Sequence, residues 1–124
     1  MEANDTAFLE DLELMDLLGC IYLQHGLPDK AAILLAARVA LAPEDPSRLL
    51  ALAVAEVRAG KGKRALATLE RLALAGNVDA FFHLTRAQAL QLEGRSDEAA
   101  AAMRAYIALR PTPEEPADIT DTST

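Results

Sequence analysis

Apolar residues recur three and four positions apart along this chain, with charges between them, in six stretches separated by glycine or proline. That spacing collects the apolar side chains on one face of a helix. The first helix is expected over residues 6–25, stopped by Gly26 in the left-handed position that follows many helices. Pro28 and Asp29 suit the first turn of a second helix, expected to reach about Ala42 and end at Pro43. Asp45 is a good N-cap for a third helix with Pro46 as its first residue, running to about Ala59 before Gly60. A fourth is expected over residues 63–75, stopping at Gly76. Asn77 is the expected cap of a fifth, which runs to about Glu93. Ser96 is the expected cap of a sixth, with Asp97 and Glu98 in its favourable acidic first turn and its end near Arg110. The prolines at 111, 113 and 116 cannot continue it.

The six stretches are not independent. Gly26, Gly60 and Gly94 stand 34 residues apart, and each is followed five positions later by alanine: Ala31, Ala65 and Ala99. A 34-residue period is the mark of a tetratricopeptide array, whose unit is a helix-turn-helix. The expected fold is all-α: three such repeats, six helices, stacked in a short right-handed superhelix. Counting repeats from Leu12, Pro46 and Ala80, the expected large and small positions are met by Leu18, Gly19, Tyr22, Leu35 and Pro43 in the first. Leu52, Ala53 and Leu69 meet them in the second, and Ala87, Leu90, Met103 and Pro111 in the third. The departures are Arg38, Glu56, Leu72, Asn77, Arg86 and Tyr106. The domain plan is an acidic N-terminal extension over residues 1–11 that continues into the first helix, a repeat domain over 12–111, and a disordered acidic tail over 112–124.

Composition agrees. The chain has 124 residues, no Trp, two Tyr and three Phe, and is rich in the helix formers Ala and Leu. No long uncharged run predicts a transmembrane helix, and the acidic start is wrong for a secretory signal. The single Cys fits a reducing compartment, so the expected location is the cytoplasm. The net charge of −7 is concentrated at the ends, with six acids and no base in residues 1–16 and four acids in 112–124. No basic stripe is left for nucleic acid.

Function is expected on the inner surface, which the first helix of each pair lines through repeat positions 2, 5, 9 and 12. Those positions hold Glu13, Asp16, Cys20 and Leu23, then Ser47, Leu50, Val54 and Val57, then Phe81, Leu84, Gln88 and Gln91. The candidate partner-binding groove is Cys20, Leu23, Leu50, Val54, Val57, Phe81, Leu84 and Gln88. An apolar strip of this kind suits an apolar or amphipathic segment of a protein partner; packing within the stack is the plain alternative for any one of these residues. Arrays that grip a C-terminal carboxylate place Lys and Asn at inner positions 5 and 9; Asp16 and Cys20 stand there instead.

No enzyme, metal or cofactor pattern appears. His25 and His83 lie in no ligand spacing, and His25 suits a helix C-terminus. Cys20 has no His partner pattern and reads as a small buried or groove-lining thiol. Gly60-Lys-Gly-Lys-Arg64 lacks the spacing of a phosphate loop and follows no strand. The carboxylates of the first helix read as a solvated face. The sixth helix ends in Ile107 and Leu109, and stacked repeats need a polar cap. A partner or a second copy is therefore expected to cover it, and Phe8, Leu9 and Leu12 offer a dimer contact.

The run from Leu17 to Leu35 (LLGCIYLQHGLPDKAAILL), followed by Leu41-Ala-Pro43, resembles the small tetratricopeptide chaperones of bacterial type III secretion, in particular the YscY family. The run from Leu84 to Gly94 (LTRAQALQLEG), with Ala105-Tyr-Ile-Ala-Leu109, resembles that family's last repeat. The likeness spans roughly residues 14–110. It implies a bacterial, cytoplasmic, non-catalytic chaperone that keeps a small secreted component of the injection apparatus soluble and brings it to the export gate. A generic protein-interaction scaffold without a secretion role is the alternative.

Overall fold

The computed structural model describes residues 2–111; Met1 and the tail expected over 112–124 lie outside the described residues. Among those described there are six α-helices and no strand: α1 Glu2–Gln24, α2 Pro28–Leu41, α3 Leu49–Arg58, α4 Gly62–Leu74, α5 Ala80–Leu92 and α6 Ser96–Leu109. None is long and apolar enough to cross a membrane. The chain is all-α.

The helices pair as α1 with α2, α3 with α4 and α5 with α6, while α2 meets α3, α4 meets α5, and α3 also meets α5. The turn inside each pair is the same hydrogen-bonded unit, repeated every 34 residues. The amides of Leu27, Lys61 and Arg95 donate to the carbonyls of Tyr22, Glu56 and Leu90 at 2.8, 2.8 and 2.9 Å. The glycine between them has φ +70°, +77° and +72° in turn. This closure satisfies carbonyls that the helix end leaves free, and L-residues rarely adopt that φ. The next helix then starts at once, since Ala31, Ala65 and Ala99 donate to the carbonyls of Leu27, Lys61 and Arg95.

Two expected caps move for that reason. Arg95 already belongs to the turn and provides the first helical carbonyl, so Ser96 lies inside α6 and caps nothing. Asn77 likewise closes the end of α4 by donating to the Leu72 carbonyl. The cap of α5 falls to Asp79, whose carboxylate accepts from the Phe82 amide at 3.0 Å. Asp45 caps as expected, accepting from Ser47, but a short 3-10 helix, Pro46–Arg48, precedes α3. α1 begins earlier than its pattern suggests, at Glu2.

The alanines mark close approaches between helices: Ala31, Ala53 and Ala65 are wholly buried, and Ala99 nearly so. Leu35, Leu69 and Leu90 are the largest fully buried side chains. One core cluster joins Leu35, Leu52, Leu69 and Phe82, and a second joins Ala87, Leu90, Ala99 and Ala102. Each buried leucine contributes about 1.5–3 kcal/mol.

The polar departures from the repeat pattern are buried as well. Arg38 is 5% exposed. Its Nε donates to Asp16 at 2.9 Å and its Nη2 to Asp45 at 3.1 Å. Arg48 holds the other Asp16 oxygen at 2.9 Å. Asp16 is thus no solvated acid; it ties α1 to α2 and to the 3-10 helix. Glu56 is buried against Thr68, whose hydroxyl lies 2.6 Å from its carboxyl and 3.0 Å from the Arg64 carbonyl. One hydroxyl proton cannot serve both oxygens. A protonated Glu56 resolves the conflict by donating to Thr68, which then donates to Arg64. Burial raises the Glu56 pKa, against the pull of Thr68.

A pH-dependent stability follows. The folded state holds the Glu56 proton more tightly than the unfolded chain does. Unfolding free energy therefore falls as pH rises from the ordinary carboxyl value, 4.5, through the higher folded value. Glu56→Gln mimics the protonated side chain. It is expected to be more stable than the parent at pH 7, with the gap closing toward pH 4.5. Urea midpoints across that range measure it; a gap independent of pH would show that Glu56 does not titrate in this way.

Candidate functional site

The largest groove in the described residues, about 600 Å³, lies where the end of α3 meets the C-terminal half of α5 and the first half of α6. Val57 enters it from α3, Ala87, Gln88 and Gln91 from α5, and Ala100 and Met103 from α6. Its walls are mostly carbon, with the Gln88 and Gln91 amides at the edge. A second groove, about 260 Å³, lies between α1 and α3, lined by Leu17, Cys20, Leu23 and Ala51 with Asp16 and Arg48 beside them.

The eight candidate residues divide between these places. Val57 and Gln88 share the larger groove, and Cys20 and Leu23 share the smaller. Leu50 sits apart from both, in a small recess with Pro46, Leu72 and Asp79. Leu23 and Leu50 are half-buried and also pack on the core cluster. Val54 and Leu84 are half-buried and line neither groove, while Phe81 is 53% exposed. Phe81, Leu84 and Gln88 follow one another along one side of α5, at the spacing of successive helical turns. No residue of the eight is fully buried. The continuous strip expected from the inner positions is therefore two grooves with half-buried residues between them.

Met103, Ala100 and Leu92 line the larger groove and were outside the expected set. They stand on α6 and at the last turn of α5, which the inner-position rule does not count. Their signal was the run of alanines at the start of α6, Ala99 to Ala102.

The two grooves differ electrically. The larger has no ionisable side chain among its lining residues. The smaller has an ion pair at its rim, Arg48 with Asp16. Asp45, nearby, has a lowered pKa, chiefly because its carboxylate accepts from the Ser47 amide. Cys20 is exposed beside the smaller groove. His25 and His83 lie near opposite ends of different helices, α1 and α5, and no metal-ligating group of three side chains occurs among the described residues. Of the expected dimer contacts, Phe8 and Leu9 are exposed, but Leu12 is 5% exposed. It falls on the side of α1 turned to its own chain and is not free for a second copy. No family model matches the chain, and no curated protein matches it.

Proposed function

We propose that the chain is a tetratricopeptide array that works as a non-catalytic chaperone, holding the apolar or amphipathic segment of a small secreted protein on its inner surface. The observation that carries the reading is the carbon-lined groove across α3, α5 and α6. Turns repeated every 34 residues, with buried alanines behind them, support the array. An amphipathic helix laid in such a groove hides its apolar face by inserting residues three and four apart. A standard interface would bury about 800 Å² on each partner, enough to keep such a segment soluble. The resemblance to the type III secretion chaperones supplies the client class and the cytoplasmic, bacterial setting, with delivery to an export gate as the last step.

The test is co-expression with each small secreted protein encoded beside this gene. The client is expected to remain soluble and to co-elute with the chain. Val54→Asp and Gln88→Asp, at half-buried and exposed positions, are expected to weaken binding about tenfold or more, the cost of placing a charge in an apolar contact. A client held equally well by both variants would refute the groove. The division of the apolar strip into two grooves favours a second reading, a scaffold that takes two short partner segments and has no secretion role. Two independent partners, neither of them secreted, would establish it.

A further inference from the structure

The repeat geometry provides its own template for what belongs on the last pair of helices. α5 lies against the α3–α4 pair, and the contact is close. A Cβ placed on Gly62 would come 3.0 Å from the Ala89 carbonyl and 3.1 Å from the Leu92 Cβ. On the α4 side it covers Gly62, Ala65 and Leu69, which are buried. Thirty-four residues later the same positions are Ser96, Ala99 and Met103 on α6. Met103 is 36% exposed where Leu69 is 0%. Ile107, equivalent to Ala73, is 53% exposed. The position a following helix would take is open among the described residues.

The other end of the stack has the matching surface. On α5 the face turned to the preceding pair is Phe82, Thr85 and Ala89, exposed by 6%, 3% and 0%. The equivalent residues of α1, 68 positions earlier, are Leu14, Leu17 and Ile21. No pair precedes α1, and Leu14 and Leu17 are 53% and 57% exposed. This is an apolar helix face of the kind that elsewhere in the same chain is buried on a pair.

Charge decides which helix suits the open position. α4 and α5 run antiparallel, since the start of α4 at Gly62 meets the end of α5 at Ala89 and Leu92. A helix seated on α6 in the same way would lay its first half along the last half of α6. That half of α6 and the residue after it hold Arg104 and Arg110 without a carboxylate, and the first half holds Asp97 and Glu98. α1 is the complement: Glu10, Asp11 and Glu13 in its first half, and no carboxylate after Asp16. Wedged equivalents in the existing packing, Glu70 beside Phe82 and Arg86, put Arg104 next to the Leu14 side of the incoming helix.

We propose that α1 of a second copy of this chain seats on α5 and α6, so that copies join head to tail. The contact is heterologous: each copy offers one α1 face and one seat, and the chain of copies stays open unless the rotation closes a ring. The seat adjoins the larger groove, because Ala100 and Met103 line both. Self-association therefore competes there with any client.

Sedimentation of the full-length chain over about two decades of micromolar concentration tests this. Dimers and longer species are expected as concentration rises. Leu14→Asp removes the α1 face and Ala100→Asp removes the seat; both positions are exposed, and circular dichroism checks that each variant keeps its helices. Each alone is expected to be monomeric. Mixed, they are expected to give a one-to-one dimer that grows no further, because one good face and one good seat remain. If either variant fails to fold, Arg104→Glu and Glu10→Lys serve instead, each weakening association and the two together restoring it. A parent chain that stays monomeric, whether its own tail or nothing fills the seat, overturns the proposal. So does a dimer insensitive to Ala100→Asp, or a mixture that does not dimerise. Loss of a co-expressed client by Ala100→Asp from a monomeric parent assigns the seat to the client and overturns it too.

Discussion

Arg38→Ala is expected to lower the unfolding free energy by about 3 kcal/mol, the loss typical of breaking a buried ion pair from one side. Arg38 is 5% exposed and holds Asp16 and Asp45 at once. Its removal leaves a half-buried Asp16 with Arg48 as its remaining ion-pair partner among the described residues. It also leaves a gap behind the long side chain. For a domain of this size the midpoint of thermal unfolding should fall by roughly 15 °C. The pair is a different matter from the single residue. Arg38 Nη1 is buried with no hydrogen-bond partner among the described residues, a cost the folded state already bears. Arg38→Met combined with Asp16→Leu removes both charges and keeps the volume, and should recover most of the loss. Thermal and urea melts of the three variants measure this. A double variant as unstable as Arg38→Ala would mean that the charges, not the filled volume, hold α1 to α2.

This cluster also marks where the sequence stopped being legible. The helix stops at Gly26, Gly60 and Gly94 could be read directly, because few residues other than glycine take that backbone angle and the spacing repeats. Ala31, Ala65 and Ala99 could be read as close-packing points for the same reason. Arg38 and Glu56 appeared only as departures from the pattern. Asp16 and Arg38 are 22 residues apart. Whether they meet depends on how far each helix is turned about its axis, which a periodic pattern fixes only to within a residue. Glu56 and Thr68 are 12 apart and meet across α3 and α4, with the same dependence. The caps at Asn77 and Ser96 were misread because a good cap residue was weighed without the turn before it, which had already used the amide or carbonyl in question. The candidate groove was half legible. Val57, Gln88, Cys20 and Leu23 line grooves, but the inner-position rule reads only the first helix of each pair. The larger groove needs α6 as its second wall, so Met103 and Ala100 were invisible to it.

Leu69→Ala and Met103→Ala occupy equivalent places in successive repeats and should differ several-fold in cost. Leu69 is wholly buried in the cluster that joins α2, α3, α4 and α5. Its truncation removes buried methyl groups and leaves a cavity that the surrounding helices close only in part. About 2–4 kcal/mol is expected from both effects together. Met103 is 36% exposed at the edge of an open groove. Its truncation opens no closed cavity, and water already reaches the site, so less than about 1 kcal/mol is expected. Leu35, one repeat earlier and 2% exposed, should behave as Leu69 does. Urea unfolding of the three variants at low protein concentration, where copies are separate, gives the ladder. The same measurement at high concentration is the sharper comparison. If a second copy's α1 covers Met103, its alanine variant should lose stability relative to the parent as concentration rises, while the deficits at Leu35 and Leu69 stay fixed. Equal costs at Leu69 and Met103 in dilute solution would mean that the α6 face is already covered within one chain.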